Sequence, residues 1–386
     1  MNELSPIRKA LLELSEEDLF RLLIILKTQK AEQKAAAQGD GSRWFEQDIC
    51  GLTQEGLAHL QALEKKAGNA FGGTSVDQKQ LRYLRISKRM KMRVPALFRE
   101  AVDPKRLFKT MKSYCLDNDI PEEIAVRLVP MLVTYIETGR MRPIILVGEA
   151  GGGKTTAFRM LMEGVLKIPT AVIRVTQMDG SHGLVGDCLT YKDADAGEFV
   201  RARCRADNLI MGFIIDEIDK ATHNENRACI DEELLSVTDD SVTEIYDHFL
   251  EDTIVGLEHC PIVFTANDLQ KVNPILADRC TVIQFPAANA QRIQSIARKY
   301  ASKKMQDKLY QLIRLDEGLM DRYIEDLASH RVTSIRKHQQ MIETALEQAL
   351  GLALEQESDE IVPVSAEMFA QAEQKVLGTA RRRTGF

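Results

Sequence analysis

Gly148-x-x-x-x-Gly153-Lys154-Thr155, with the apolar run Ile144 to Val147 before it and helix formers after it, is suited to holding phosphate. Glycines let successive backbone N–H groups turn inward around an anion where a Cβ would clash. The helix that follows points its positive end at the same anion. On this reading Gly148, Glu149, Ala150, Gly151, Gly152, Gly153, Lys154, Thr155 and Thr156 surround the phosphates of a nucleotide. Lys154 reaches the β- and γ-phosphates, and the Thr155 hydroxyl is a ligand for Mg²⁺. A glycine-rich surface turn is the plainer alternative, and the complete spacing with Lys-Thr argues against it.

Two further segments carry chemistry. Gly212 to Asp216 is an apolar run that ends in the adjacent carboxylates Asp216 and Glu217, 62 residues after Lys154. Asp216 is placed to hold Mg²⁺ opposite Thr155, and Glu217 to orient and deprotonate an attacking water. Pro261 to Asp268 repeats the plan, with the amide of Asn267 at the end of a buried run. There it can hold the water or the γ-phosphate in line. Asp278-Arg279 precedes a last apolar run, and a guanidinium reaching a neighbour's γ-phosphate would stabilise transition-state charge. Standing alone, the acids could open a solvated loop, Asn267 could be a turn residue and Arg279 a surface ion-pair partner.

These side chains need a scaffold that brings strand ends together. Five short apolar or β-branched runs are expected to be strands: Ile144–Val147, Ala171–Val175, Gly212–Ile215, Ile262–Thr265 and Thr281–Phe285. Helical patterns separate them, which predicts an α/β fold whose parallel sheet is buried on both faces. In open sheets of this kind the ligand lies beyond the carboxyl ends of the strands. The phosphate loop, the acid pair and Asn267 each follow such a run, and Arg279 precedes the last of them.

Composition bounds the rest. The 386 residues are 44% hydrophobic and 28% charged with net charge −6, which fits a globular protein and gives no overall sign of nucleic-acid binding. Seven scattered cysteines without a Cys-x-x-Cys pair suit a reducing cytoplasm and no structural zinc. No apolar stretch is long enough for a bilayer, and the N-terminus lacks a signal-peptide pattern, so a cytoplasmic location away from membranes is expected.

The order of phosphate loop, Asp216-Glu217-Ile218-Asp219-Lys220, Thr265-Ala266-Asn267-Asp268 and Asp278-Arg279-Cys280 resembles the AAA+ ATPases. Within them it is most similar to the ATPase module of the Lon proteases, with the Clp unfoldases second. Leu234 to Val237 and Tyr246 to Leu250 extend the likeness to Lon. The resemblance implies ATP with Mg²⁺, the Walker A and Walker B motifs, Asn267 as sensor 1, Arg279 as the arginine finger, and a homo-oligomeric ring or spiral, hexameric in the family. Arg336, in Thr333-Ser334-Ile335-Arg336, would match sensor 2, although Lon-like modules carry Gly-Val-Arg or Gly-Ala-Arg there. The substrate-gripping loop departs further: Thr190-Tyr191-Lys192-Asp193 replaces an aromatic–aliphatic–Gly paddle, and a Clp-style alignment would instead use Gly183 to Gly186. Lon continues into a protease, whereas this chain stops at Phe386, so no peptidase activity is expected.

The expected organisation is a mainly helical N-terminal region (1–75), a basic linker or helical segment (76–121), an AAA+ α/β nucleotide-binding core (122–288) with a five-stranded parallel sheet, and a small helical lid (289–386). Residues 79–113 hold twelve Lys or Arg against Glu100 and Asp103, interleaved with apolar residues; ion pairing to a neighbouring subunit and contact with nucleic-acid phosphates are both readings. Asp48 to Leu60 resembles the end of a winged-helix DNA-binding domain, and Leu19–Leu26 is apolar nearly all round. Hydrolysis of ATP coupled to remodelling of a protein partner is the reading that results. A nucleic-acid-associated ATPase of a mobile-element or defence system is the alternative, and a nucleotide-switched scaffold a third.

Overall fold

The computed structural model describes residues 103–178, 182–187, 191, 194–223, 228–238, 247–250, 257, 259–329, 332–355 and 360–378, with 58–62, 65 and 86 besides. The N-terminal expectations at Leu19–Leu26 and Asp48–Gly56, Thr190, Lys192 and most of the basic stretch before Asp103 lie outside the described residues.

Helix α1 (Pro104–Asp117) starts where Asp103 accepts a hydrogen bond from Lys105 N at 3.0 Å, with Pro104 in the first turn. Helix α2 (Glu122–Thr138) carries Glu122 and Glu123 at its positive end and stops at Gly139, whose φ of 72° only glycine adopts freely. The two helices pack together, and Leu107, Met111 and Cys115 on α1 and Ile124, Leu128 and Leu132 on α2 are all buried.

The core then alternates strand and helix. Strand β1 (Ile144–Val147) leads into α3 (Lys154–Arg159), which continues as a π-helical turn to Val165. Next come β2 (Thr170–Arg174), the short α4 (His182–Val185), α5 (Glu198–Ala206) and β3 (Gly212–Asp216). Then follow α6 (Ala228–Val237), β4 (Ile262–Ala266), α7 (Pro274–Arg279) and β5 (Thr281–Gln284). All five strands are parallel in the order β2-β3-β4-β1-β5, as the apolar runs predicted. Four of the strands differ from the sequence expectation by a residue at an end, β3 and β4 each running one residue further, to Asp216 and Ala266. Strand β2 begins at Thr170 and ends at Arg174, because Val175 turns into a 3-10 segment, and β5 ends one residue before Phe285.

Alternation along the strands divides the core. Ile145, Val147, Phe213, Ile215, Ile262 and Phe264 enter one buried cluster with Phe199 of α5 and Leu234 of α6. Ile144, Leu146, Ile214 and Val263 occupy the intervening positions and are fully buried as well. The register sets Val147 beside Ala266 and Ile215 beside Phe264, so the ends of β1, β3 and β4 form one ledge.

After the sheet, α8 (Ala290–Met305) opens with Asn289 accepting from Arg292 N at 2.9 Å. Strand β6 (Ile313–Arg314), α9 (Glu317–Ser329), α10 (Ile335–Glu355), β7 (Val362–Pro363) and α11 (Ala366–Leu377) complete this helical part. It has its own core, built on Ile293, Met320, Ile324, Met341, Leu346 and Phe369. Strand β7 pairs in parallel with β6. No helix among the described residues is long and apolar enough to cross a membrane.

Candidate functional site

A cleft of about 310 Å³ lies along the ledge, lined from the core by residues 150–157, Asp216, Glu217, Thr265 and Asn267. The turn between α1 and α2 (Asn118–Ile120) closes one side, and Arg292, Ile296, Ile335, Arg336 and Gln339 of the helical part close the other.

The phosphate loop is shaped by contacts that tolerate no side chain. A Cβ on Gly148 would meet Phe285 O at 2.5 Å, and Gly151 and Gly153 have φ of 76° and 98°. Lys154, 7% exposed, folds back over the loop: its Nζ donates to Gly148 O (2.6 Å), Glu149 O (3.0 Å) and Asn267 Oδ1 (3.0 Å). Burial lowers the pKa of this ammonium, while Asp216, Asp219 and Glu217 oppose the shift and Arg336 adds to it. Glu149 differs from its loop neighbours. Its carboxylate accepts a hydrogen bond from Thr333 Oγ1, and Ile335 N donates to Gly151 O at 3.2 Å, so the segment before α10 clasps the outside of the loop.

Across the cleft Thr155 Oγ1 donates to Asp216 Oδ1 at 3.4 Å, and Thr265 Oγ1 donates to the same carboxylate oxygen. Thr265 also accepts from Glu217 N at 3.1 Å. That second bond fixes a strained residue, since Glu217 has φ of 61°, a region costing a non-glycine residue about 1–2 kcal/mol. The Glu217 carboxylate, about one-third exposed, pairs with Lys220 Nζ at 2.8 Å. Asp219 is buried with Oδ1 lacking a hydrogen-bond partner. A hydroxyl and a carboxylate facing each other are hard oxygen donors of the kind Mg²⁺ takes, and the glycine cradle has room for phosphates, so the residues present fit both.

The cleft therefore gathers Gly151, Gly152, Gly153, Lys154, Thr155, Thr156, Asp216, Glu217, Asn267 and Arg336. Arg336 is exposed in the first turn of α10, as its second residue. Arg279 is not among the lining residues. It ends α7, donates to Leu235 O, and its own carbonyl accepts from Arg142 Nε at 2.9 Å. Tyr191, which the resemblance set against a gripping loop, is 58% exposed, and Leu184 and Val185 of the alternative segment are buried in α4. Near them Asp247, 3% exposed, accepts from Gly197 N (2.7 Å), Phe249 N (3.0 Å) and Leu250 N (3.2 Å), while His248 N donates to Val185 O. Burial raises the Asp247 pKa to about 6 despite those bonds.

Sequence reasoning missed Thr265, Arg292 and the Asn118–Ile120 wall. Thr265 left a signal, a single hydroxyl inside the run Ile262–Ala266. The other two depend on how distant segments meet.

A five-stranded parallel sheet in this order, with a phosphate loop, an acid pair and an amide on adjacent strand ends, defines a phosphate-loop nucleotide-binding fold. Residues 144–287 match the ATPase family associated with various cellular activities (AAA). The chain is 30% identical over 165 residues to a Lon protease homolog of Acanthamoeba polyphaga mimivirus, covering 42% of this chain and 16% of that protein. It is 29% identical over 158 residues to the peroxisomal Lon protease homolog 2 of Pichia angusta (41% and 17%). It is also 28% identical over 187 residues to the Lon protease of Mycoplasma mycoides (48% and 23%). The chain thus spans only about a sixth to a quarter of the length of these relatives.

Proposed function

We propose that the chain hydrolyses ATP in an oligomeric ring or spiral, a hexamer by analogy with the family, and uses the energy to remodel a protein partner. The observation that carries this reading is a pair of hydrogen-bonded groups side by side on three adjacent strand ends, Lys154 with Asn267 and Asp216 with Thr265 and Glu217. Lys154 and the loop N–H groups hold the β- and γ-phosphates, and Asn267, already bonded to Lys154, senses the γ-phosphate. Mg²⁺, held by Thr155 and Asp216, would neutralise charge on the phosphate oxygens. Glu217 accepts a proton from a water whose oxygen bonds to the γ-phosphorus as the bond to the bridging oxygen of ADP breaks. Arg336, exposed on the lid side of the same cleft, contributes positive charge to the γ-phosphate.

Arg279 supports assembly in this reading. It does not line its own cleft, and it acts on the nucleotide of a neighbour after leaving Leu235 O. Its removal in families of this chemistry costs about 10³–10⁵ in rate. A mixing experiment tests the scheme. Glu217→Gln and Arg279→Ala should each bind ATP and turn it over slowly. Mixed, they should regain activity, because an Arg279→Ala subunit keeps its own Glu217 and receives Arg279 from its neighbour. Wild-type protein that fails to hydrolyse ATP would remove the enzymatic reading. Co-assembled variants that stay inactive would remove the trans-acting arginine. Recovery of protein rather than salt-sensitive nucleic acid on ATP-trapped Glu217→Gln decides the partner class.

A further inference from the structure

Arg292 occupies the cleft in a way the ATPase reading leaves unused. It sits in the first turn of α8, three residues after the capping Asn289. Its Nε donates to Asp119 O at 2.8 Å, which ties the helical part to the turn between α1 and α2. The guanidinium lies over the Phe285 ring, 5.4 Å from its centroid, an arrangement that fixes the plane and favours the cation. Beyond this tether the group reaches the phosphate loop: a Cβ placed on Gly153 would lie 3.2 Å from Arg292 Nη2. Its Nη1 is buried with no hydrogen-bond partner. Burial lowers its pKa, and the carboxylates of Asp119 and Glu123 oppose that without supplying a direct bond to Nη1. A buried guanidinium N–H without an acceptor is costly, and a protein retains one where a ligand or a movement completes it.

We propose that Arg292 is a second nucleotide-binding arginine of the helical part, and that it reads the α- or β-phosphate common to ATP and ADP. This rests on the cleft being the ATP site. The position follows from its neighbour. Gly153 belongs to the backbone that cradles the α- and β-phosphates, whereas Arg336 acts electrostatically on Lys154, whose ammonium reaches the β- and γ-phosphates. Two arginines from one domain therefore contact different parts of the same ligand. Arg336 distinguishes ATP from ADP, and Arg292 keeps α8 engaged with either. ADP then leaves only when α8 withdraws.

The test measures equilibrium affinities of the full chain for ATP, ADP and inorganic pyrophosphate, each with Mg²⁺. Arg292→Ala should weaken all three by a similar factor, about ten- to hundredfold for one charge-assisted contact, and Arg292→Lys should recover part of the loss. Arg336→Ala should weaken ATP alone. Unchanged affinities in a folded Arg292→Ala protein would overturn the proposal. Weakened ATP and ADP with unchanged pyrophosphate would uphold it and assign the contact to the α-phosphate, a position that pyrophosphate does not fill when it binds at the β and γ positions. Loss confined to ATP would move its contact to the γ-phosphate and overturn it too. If Arg292→Ala does not fold, Arg292→Gln, which keeps a donor for Asp119 O, carries the same comparison. A wild-type chain that binds none of the three would instead remove the ATP reading itself.

Discussion

Replacing Thr265 by Val isolates the hydroxyl that joins the two acids. Thr265 is 2% exposed, and Val matches its shape, so the change deletes one oxygen and adds no cavity. That oxygen donates to the Asp216 carboxylate and accepts from Glu217 N at 3.1 Å. A charge-assisted bond contributes about 1.5–3 kcal/mol and a neutral one about 1 kcal/mol. Asp216 is only half-buried, so water replaces part of its loss, and net destabilisation should be about 1–3 kcal/mol. The kinetic effect has a separate origin. Glu217 stands at φ 61°, and without its anchor the backbone can relax toward ordinary dihedrals and carry the carboxylate away from the attacking water. A loss of about 1.4–2.7 kcal/mol of transition-state stabilisation lowers kcat about ten- to hundredfold. Nucleotide affinity should stay near wild type, because Lys154 and Asn267 keep their bond. Steady-state ATP hydrolysis, direct nucleotide binding and urea unfolding measure the three quantities. Thr265→Ser, which retains the hydroxyl, should keep most of kcat. A folded Thr265→Val protein with wild-type kcat would refute the claim that this hydroxyl positions Glu217.

Asp247 predicts a pH effect. Burial raises its native pKa to about 6 from 3.8, so between those values the native state holds more proton than the unfolded chain. Its contribution to stability therefore falls as pH rises through this window, by up to about 3 kcal/mol at 1.36 kcal/mol per unit. Unfolding free energies of Asp247→Asn between pH 4 and 7 should lack that component; an unaltered pH slope would contradict it. Gly148→Ala should lose about 1–3 kcal/mol of stability, because the new Cβ would meet Phe285 backbone oxygen at 2.5 Å. Thermal unfolding checks this, and wild-type stability would mean β5 yields more easily than its pairing with β1 suggests.

What could be read from the sequence was local. Buried parallel strands announce themselves as continuous apolar runs, and four of the five begin at the expected residue. The phosphate loop is legible because its backbone needs glycine and its chemistry needs Lys-Thr at fixed offsets. Asp216 and Asn267 were readable because each stands at or just beyond the end of such a run. Arg292 gave no such sign. In the sequence it is one more cation on an amphipathic helix, and its meaning comes from Asp119, Phe285 and Gly153 meeting around it in space. The Glu149–Thr333 contact was hidden for the same reason, since neither residue has a local partner that explains it.

That contact has a consequence for how the molecule can vary. Thr333 and Glu149 are 184 residues apart in the chain, yet they and the neighbouring bond from Ile335 to Gly151 share one surface of the phosphate loop. The loop is therefore not an interchangeable part. Transplanted into a relative without its distant counterpart, it would carry an acidic side chain with nothing to receive it. The two segments are a single inheritable unit, written in two places.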